Sequence, residues 1–259
     1  MSAVSVEIDG AVGKILFTSP EDGNGIDTAF CDSFLAAAEQ LGADDAVRAI
    51  LIASDGRNFS VGANVKTFLG LPSTEFAQLA LRMTDTLHPA VERFVSMEKP
   101  IITLVQGNAA GAGLGVALLG DICLVTPETR MLVAYPGIGL SPDAGVSYML
   151  PRLVGLRRAQ EIIMLEQIIG GADAVRIGLA TRLVEADALR SEGLAIASAL
   201  AQRPTKALGR SKKLLLQSFG ADIKKQLDDE AEQITICAGE PHAFEGVNAF
   251  IERRKAHFV

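Results

Sequence analysis

The sequence predicts an α/β fold in which strands and helices alternate at first and helices alone follow. One observation is the run at residues 49–53, short and wholly apolar, which is typical of a strand covered on both faces. Another is the alternation of strand-like runs at 12–17, 101–105 and 122–125 with stretches of helical periodicity. A third is the loss of strand patterns after Pro151. This order predicts crossover connections and a largely parallel sheet.

The other elements of the first half follow from the spacing of apolar residues. Residues 4–9 alternate apolar and polar side chains, which predicts an N-terminal strand rather than a signal peptide. Residues 28–41 predict a helix, because phenylalanine, alanine and leucine recur along one face. A longer helix is predicted over 73–97, with a kink or a break at Pro89. A buried helix is expected at 113–119.

The C-terminal part is predicted to be helical throughout. Helices are expected at 156–166, 172–179, 188–202, 205–219 and 223–237. Pro204 and Pro241 stand where helices could begin, which is a tolerated place for proline. No repeat, low-complexity tract or flexible linker interrupts the chain.

Length and composition exclude several classes of protein. A chain of 259 residues that is 49% hydrophobic can bury a substantial core, as one large domain or slightly more. No apolar run reaches roughly 18 residues, so a membrane-spanning helix is not expected. A formal net charge of −7 argues against nucleic acid as a partner. The 3 cysteines lack paired spacing, which indicates free thiols, a cytoplasmic location and no metal site.

Two loops carry the strongest functional pattern, NFSVGANV at residues 58–65 and QGNAAGAGLG at residues 106–115. Each follows an apolar strand-like run and places small residues where a helix should begin. Such a turn leaves backbone N–H groups unpaired at a helix N-terminus, where they can bind an anionic oxygen. Two N–H groups converging on one point would form an oxyanion hole for a thioester enolate.

Both loops resemble the signature loops of the crotonase (enoyl-CoA hydratase/isomerase) superfamily. A helix phrase at 174–179 and a C-terminal stretch at 244–255 resemble the same superfamily and come in the same order. The resemblance implies a spiral of ββα turns at 1–200, followed by a helical trimerisation or lid region at 201–259. It further implies a homotrimer or a dimer of trimers that acts on acyl-coenzyme A thioesters and carries no bound cofactor.

The resemblance also places the groups that would hold the substrate. It implies that the backbone N–H groups of Ala63 and Ala112 form the oxyanion hole, although the second position is usually glycine. An alanine still donates its N–H, but its Cβ narrows the backbone angles and the space beside the thioester. Contacts with coenzyme A are implied for one early residue and for the end of the first loop: Asn24, Ala63, Asn64, Val65 and Lys66. Asn24 precedes a glycine, and Asn-Gly is also simply a favourable turn.

Two positions argue against hydration. Hydratases of the superfamily use two glutamates, one to activate water and one to protonate the α carbon. The matching positions hold Gly115 and Tyr135, so syn-hydration of the usual kind is not expected. The acid that remains is Asp143, in the phrase GLSPDAG at residues 139–145. Some isomerases of the superfamily place their acid/base aspartate in this context.

The sequence leaves two roles open for Asp143. A carboxylate beside an apolar pocket is partly desolvated, which suits it to proton transfer. In that role Asp143 would serve an acyl-CoA isomerase that moves a double bond from the 3,4 to the 2,3 position. Alternatively, Asp143 caps a helix that begins near Ala144, because aspartate before small residues is a favoured N-cap.

Two further functions remain open. In the 4-chlorobenzoyl-CoA dehalogenase branch, the positions of Asp143, Tyr135 and His88 hold a nucleophilic aspartate, a tryptophan and a histidine. The chain contains no tryptophan. His88 stands beside Pro89, where a surface or interface histidine is the commoner explanation. Because of their alignment positions, Tyr135 and His88 are assigned to the substrate pocket. The missing glutamates and Ala112 also allow a catalytically silent acyl-CoA-binding subunit.

Overall fold

The computed structural model describes residues 2–258, and their strands form two sheets. The strands are β1 (Val4–Asp9), β2 (Val12–Phe17), β3 (Ala49–Ser54), β4 (Ile101–Val105), β5 (Asn108–Ala110), β6 (Ile122–Val125), β7 (Arg130–Leu132), β8 (Ile169–Gly170) and β9 (Arg182–Leu183). The larger sheet has the order β1-β2-β3-β4-β6-β9, and the smaller sheet has the order β5-β7-β8. Only β1 runs antiparallel to its neighbour in the larger sheet, so the prediction of a largely parallel sheet is confirmed.

Helices connect these strands and make up most of the chain after Pro151. The expectation that helices alone follow Pro151 is wrong, because the short strands β8 and β9 pair with β7 and β6. The helices are α1 (Thr28–Ala43), α2 (Ser73–Ser96), α3 (Ala112–Ala117), α4 (Val146–Val154), α5 (Leu156–Met164), α6 (Gly171–Arg176), α7 (Leu189–Ala201), α8 (Thr205–Gln217), α9 (Ile223–Ala238) and α10 (Pro241–Ile251). The predicted α/β class is therefore confirmed. The α2 helix continues through Pro89, so the chain is not broken there. The helix predicted at 113–119 begins earlier, at Ala112, because Gly111 turns the chain with φ +52°.

The larger sheet is covered on both faces, as the apolar run at 49–53 predicts. Alternate residues of β3 belong to two separate apolar clusters, with Ile50 and Ile52 on one face and Ala49 and Leu51 on the other. On the first face α1 and α2 pack together around five rings whose neighbouring centroids lie 4.9 to 6.0 Å apart. These rings are Phe17, Phe30, Phe34, Phe59 and Phe94. The α7 helix covers the second face. A sheet buried in this way gives the loops at its edge a rigid base.

The parallel strands direct their carboxyl ends to the same edge of the sheet. The loop at 58–64 follows β3, and the loop at 106–111 follows β4. Backbone bridges tie Ser60 to Ala109. The two loops singled out in the sequence are therefore neighbours in the folded protein.

The last two helices leave many large apolar side chains exposed. The exposed apolar residues of these two helices are Ile223, Leu227, Ile234, Ile236, Phe244, Val247, Phe250 and Ile251. The α7 helix ends at Ala201 and α8 begins at Thr205. The division between the core and the C-terminal region at residue 200 stays a prediction. Among residues 2–258, no helix combines the length and the apolar character needed to cross a membrane.

Candidate active site

The two loops present two backbone N–H groups that have no protein partner. Ala63 pairs with Ile26 in a parallel bridge, whose hydrogen bonds are made by the carbonyl of Gly62 and the N–H of Asn64. Ala112 is the first residue of α3, so its N–H has no acceptor within the helix. Within residues 2–258, neither N–H donates a hydrogen bond. These are the groups that the sequence assigns to an oxyanion hole.

Glycine at position 62 allows the two loops to approach closely. Gly62 has φ +84°, a conformation that side chains rarely adopt. A Cβ at this position would lie 2.6 Å from the carbonyl oxygen of Ala110 in the second loop. Ser60 strengthens the junction, because its carbonyl accepts from the N–H of Ala110 and its Oγ from the N–H of Gly62. The spacing between Ala63 and Ala112 therefore depends on a residue without a side chain.

A cavity of about 180 Å³ opens beside these N–H groups. Its walls come from both loops, from one face of α2 and from residues 134–143. The lining side chains are apolar except for those of Thr84, Tyr135 and Asp143. Asp143 is thus the one carboxylate among the lining residues of the described chain, and it shares the cavity with Ala63 and Ala112.

Asp143 is held by Tyr135, whose hydroxyl donates a hydrogen bond to Oδ1 of the carboxylate. Tyr135 is only 8% exposed. Burial, and then the negative charge of Asp143, raise the pKa of Tyr135 far above its usual value. The phenol therefore stays protonated and remains a hydrogen-bond donor at physiological pH. The pairing of these side chains brings together two residues that the sequence assigns to the site.

The interpretation of Asp143 as a helix cap is wrong. The α4 helix begins at Val146, its N-cap is Gly145, and no side chain caps it. Because Gly145 adopts φ +79°, the chain turns before the helix starts and the Asp143 carboxylate is left free to meet Tyr135.

The missing glutamate at position 115 has a steric explanation. A Cβ on Gly115 would lie 2.4 Å from the carbonyl oxygen of Ala144 and 2.8 Å from its Cβ. The α3 helix therefore packs directly on the loop that carries Asp143. Ala144 itself has φ +48°, which is uncommon for alanine. This backbone has room for the Asp143 loop or for a side chain at 115, but not for both.

His88 lies on α2 next to the same loop. Its Nε2 accepts a long hydrogen bond, 3.4 Å, from the N–H of Ala144, the residue after Asp143. The side chain is exposed, and His88 does not belong to the cavity lining. The structure therefore brings His88 beside Asp143 but outside the apolar pocket.

The residues assigned to coenzyme A occupy different environments. Asn24 is 1% exposed, and its side chain donates to the carbonyls of Asp55 and Asn58 and accepts from the N–H of Ser19. Asn24 therefore shapes the first loop and presents no free side-chain group. Lys66 is exposed, and its Nζ lies 3.0 Å from Oδ1 of Asp22.

Val65 and Asn64, which are also assigned to coenzyme A, differ in the same way. Val65 is exposed and lines the open side of the cavity. The N–H of Asn64 donates to the carbonyl of Ile26. Lys66 and Val65 are thus the accessible members of the set.

The sequence placed His88 of α2 at the substrate pocket but did not identify the α2 side chains that line the cavity. The side chains concerned are Phe76, Ala80, Met83, Thr84 and Leu87. They recur at helical spacing along one face, which was the available signal, but such a stripe is typical of core packing as well. Only the position of the helix over the two loops identifies the stripe as a cavity wall.

Comparison with known proteins adds to this geometry. The family profile described as enoyl-CoA hydratase/isomerase matches residues 7–259. A 4-chlorobenzoyl coenzyme A dehalogenase from Arthrobacter sp is 29% identical over 247 residues, which are 95% of this chain and 90% of the relative. The 1,2-epoxyphenylacetyl-CoA isomerase of Escherichia coli is 27% identical and covers 100% of this chain and 99% of its own length.

A solved structure gives the same fold. The crystal structure of an enoyl-CoA hydratase from Mycobacterium smegmatis matches with a TM-score of 0.90 at 25% identity, over 99% of this chain and 98% of that one. The names of these proteins span a dehalogenase, an isomerase and a hydratase. Similarity at this level identifies a shared fold and shared thioester chemistry, while the choice among the three reactions depends on the site.

Proposed function

The chain belongs to the enoyl-CoA hydratase/isomerase family, and on that premise we propose that it isomerises 3-enoyl-CoA thioesters to 2-enoyl-CoA thioesters. One observation carries the proposal: a single carboxylate, Asp143, shares the cavity with the free N–H groups of Ala63 and Ala112. Moving a double bond requires one proton to leave and one to return, which a single acid/base group can perform. Hydration requires a second group to activate water.

The proposed reaction has two proton transfers. The Asp143 carboxylate removes a proton from C2 of the thioester, and the electron pair moves onto the thioester oxygen to form a dienolate. The N–H groups of Ala63 and Ala112 stabilise this oxyanion, a contribution of about 3 kcal/mol for each such donor. Asp143 then returns the proton to C4, the double bond settles between C2 and C3, and the carboxylate is regenerated.

Tyr135 has a supporting role in this scheme. Its hydroxyl holds Oδ1 of Asp143, so the other carboxylate oxygen is available for the substrate. A hydrogen bond to the charged form of a carboxylate stabilises that form and fixes its orientation. The raised pKa of Tyr135 keeps the phenol from acting as a second base. The pair therefore fits a one-base reaction.

The test is the substitution Asp143→Asn. We expect kcat on 3-enoyl-CoA thioesters to fall by about a hundredfold to ten-thousandfold, while the affinity for coenzyme A thioesters stays close to that of the wild type. Asp173→Asn is the matched control, because Asp173 is an exposed carboxylate on α6 that pairs with Arg176. Unchanged turnover in Asp143→Asn would contradict the proposal.

A second measurement separates an enzyme from a catalytically silent binding subunit. In deuterated water, the wild-type protein should exchange the C2 proton of a bound thioester, and Asp143→Asn should not. Thioester binding without any exchange in the wild type would favour the silent subunit.

The second candidate function is hydrolytic dehalogenation of an aroyl-CoA. It is favoured by the contact between His88 and the N–H of Ala144 beside Asp143, and by the Arthrobacter relative. An Asp143 oxygen would attack the ring carbon that bears the halogen, and halide would leave. Water, deprotonated by His88, would then hydrolyse the aryl ester to a hydroxyaroyl-CoA and regenerate Asp143.

This candidate predicts results that an isomerase does not give. Wild-type protein would release halide from a halogenated benzoyl-CoA, and His88→Gln would accumulate an aryl adduct on Asp143, visible as an increase in protein mass. Absence of both halide and adduct would exclude dehalogenation.

A further inference from the structure

One face of α2 forms a continuous wall of the cavity. The residues on this face are Phe76, Ala80, Met83, Thr84 and Leu87. Met83 and Leu87 are 7% and 2% exposed, whereas Phe76 and Ala80 are half-buried. The wall therefore runs from an accessible end near Phe76 to a closed end formed by Met83 and Leu87. The Phe68 ring packs on Phe76 at the accessible end, with the ring centroids 4.7 Å apart.

The chemistry of the lining excludes charged acyl groups. No lysine, arginine or histidine is among the lining residues that the structure describes. The charged group present is the Asp143 carboxylate, and the Thr84 hydroxyl already donates to the carbonyl of Leu81. An acyl group that ends in a carboxylate would be desolvated here without a positive partner and beside a second negative charge, which is strongly unfavourable.

The size of the cavity limits the acyl group further. Its volume is about 180 Å³. An apolar protein cavity of about 150 Å³ holds one benzene molecule. The present cavity therefore has room for a six-membered ring or a chain of about six carbons.

We propose that this cavity selects a compact, uncharged hydrocarbon acyl group, and that Met83 on α2 sets its upper size. The proposal rests on the binding of a coenzyme A thioester at the site proposed above, but not on the isomerase reaction. Filling the apolar space should tighten binding with each added methylene until the chain reaches Met83. Thioesters with longer acyl chains should then bind no more tightly, because the closed end of the wall leaves no further apolar contact.

The experiment uses saturated acyl-CoA thioesters, which have no double bond to move. Binding is measured by calorimetry for the series from acetyl- to dodecanoyl-CoA, together with benzoyl-CoA and glutaryl-CoA. Each methylene should lower Kd about fourfold, up to about six carbons. For longer acyl chains Kd should stay constant or rise. Benzoyl-CoA should bind about as well as hexanoyl-CoA, and glutaryl-CoA no better than acetyl-CoA.

Variants test the role of Met83 directly. The break in the series is the acyl chain length at which Kd stops falling. Met83→Ala removes three heavy atoms and should move this break by about two to three carbons toward longer chains. Ala80→Leu, at a half-buried position, should move the break toward shorter chains without depending on a core residue. Met164→Ala, on an exposed methionine of α5, is the matched control and should leave the series unchanged.

The outcomes are distinct. A Kd that keeps falling to dodecanoyl-CoA, a break that neither variant moves, or glutaryl-CoA binding as tightly as hexanoyl-CoA would overturn the proposal while leaving the isomerase reaction open. Conversely, the predicted break with no proton exchange at C2 would support the size limit and contradict the isomerase. Failure of every thioester to bind would overturn both.

Discussion

The hydroxyl of Tyr135 donates a hydrogen bond to the Asp143 carboxylate inside an apolar cavity. The two residues are separated by a turn at Pro136–Ile138 and by Gly139, whose φ of +75° reverses the chain. This arrangement places a permanent donor on the one carboxylate that lines the cavity. Its loss should lower the reaction rate, which the loss of an exposed tyrosine hydroxyl elsewhere in the protein would not do.

Tyr135→Phe should lower kcat. A hydrogen bond to a charged group contributes about 1.5–3 kcal/mol, so we expect a loss of roughly tenfold to a hundredfold in kcat. Without the phenol hydroxyl, Oδ1 of Asp143 loses the donor that fixes the orientation of the carboxylate. Steady-state kinetics of the variant and of the wild type on the same thioester measure this loss. Tyr148→Phe, on the exposed tyrosine of α4, is the control.

Hydration of crotonyl-CoA should be absent or very slow, and a glutamate at 115 should not create it. Even Gly115→Ala introduces a Cβ that would lie 2.4 Å from the carbonyl oxygen of Ala144. Overpacking of this kind costs about 1–3 kcal/mol, so the melting temperature of Gly115→Ala should fall by several degrees. Gly220→Ala is the control, since a Cβ there meets nothing within 4 Å. Rapid hydration by the wild type would show that the reaction is misassigned.

The protein should form a symmetric oligomer through its C-terminal helices. Phe250 is 85% exposed, and Phe244 and Ile234 are exposed at 70% each, which is costly for an isolated subunit. The family resemblance implies threefold packing. Light scattering should give a trimer or a hexamer for the wild type and a smaller species for the double variant Phe244→Glu, Phe250→Glu. The control is Ile8→Glu on β1, and a monomeric wild type at micromolar concentration would contradict the prediction.

One thiol, that of Cys237, should react in the folded protein. Burial raises the pKa of Cys31 to about 12 and that of Cys123 to about 11, so both remain protonated and inaccessible near pH 8. Cys237 is half-buried. A thiol titration with a disulfide reagent should therefore count one group in the native state and all 3 after denaturation. More than one rapidly reacting native thiol would contradict this, and Cys237→Ser should abolish the native signal.

The elements with strong local patterns could be predicted from the sequence. The apolar run in β3 and the small residues around Ala112 determine their own structure, because burial and helix starts act over a few neighbours. No α-helix begins at the first loop, where Ala63 lies in a β-bridge with Ile26 and a 3-10 turn follows at Val65–Phe68. The α4 helix begins at Val146, two residues after the start near Ala144 that the sequence suggests, and it continues through Pro151, a residue that usually disfavours helix interiors. The continuation of α2 through Pro89 has the same origin: packing of its buried face outweighs a local preference.

The details of the site depend on contacts between distant residues, which no local pattern encodes. His88 and Ala144 meet because α2 crosses the loop before α4. The family resemblance assigns Asn24 to coenzyme A, yet its side-chain amide donates its hydrogen bonds to the carbonyls of Asp55 and Asn58. The pairing of Tyr135 with Asp143 likewise depends on how the intervening turn folds.

The contact between Gly115 and Ala144 bears on how readily this site could change its chemistry by mutation. Adding the hydratase glutamate at 115 pushes against the loop that carries Asp143, so the first substitution would damage the existing activity before a new one arose. Removing Asp143 first would leave no carboxylate in the cavity lining. Neither order of single substitutions retains a working enzyme at every step. A change of reaction would require the loop at 139–145 to be rebuilt together with position 115.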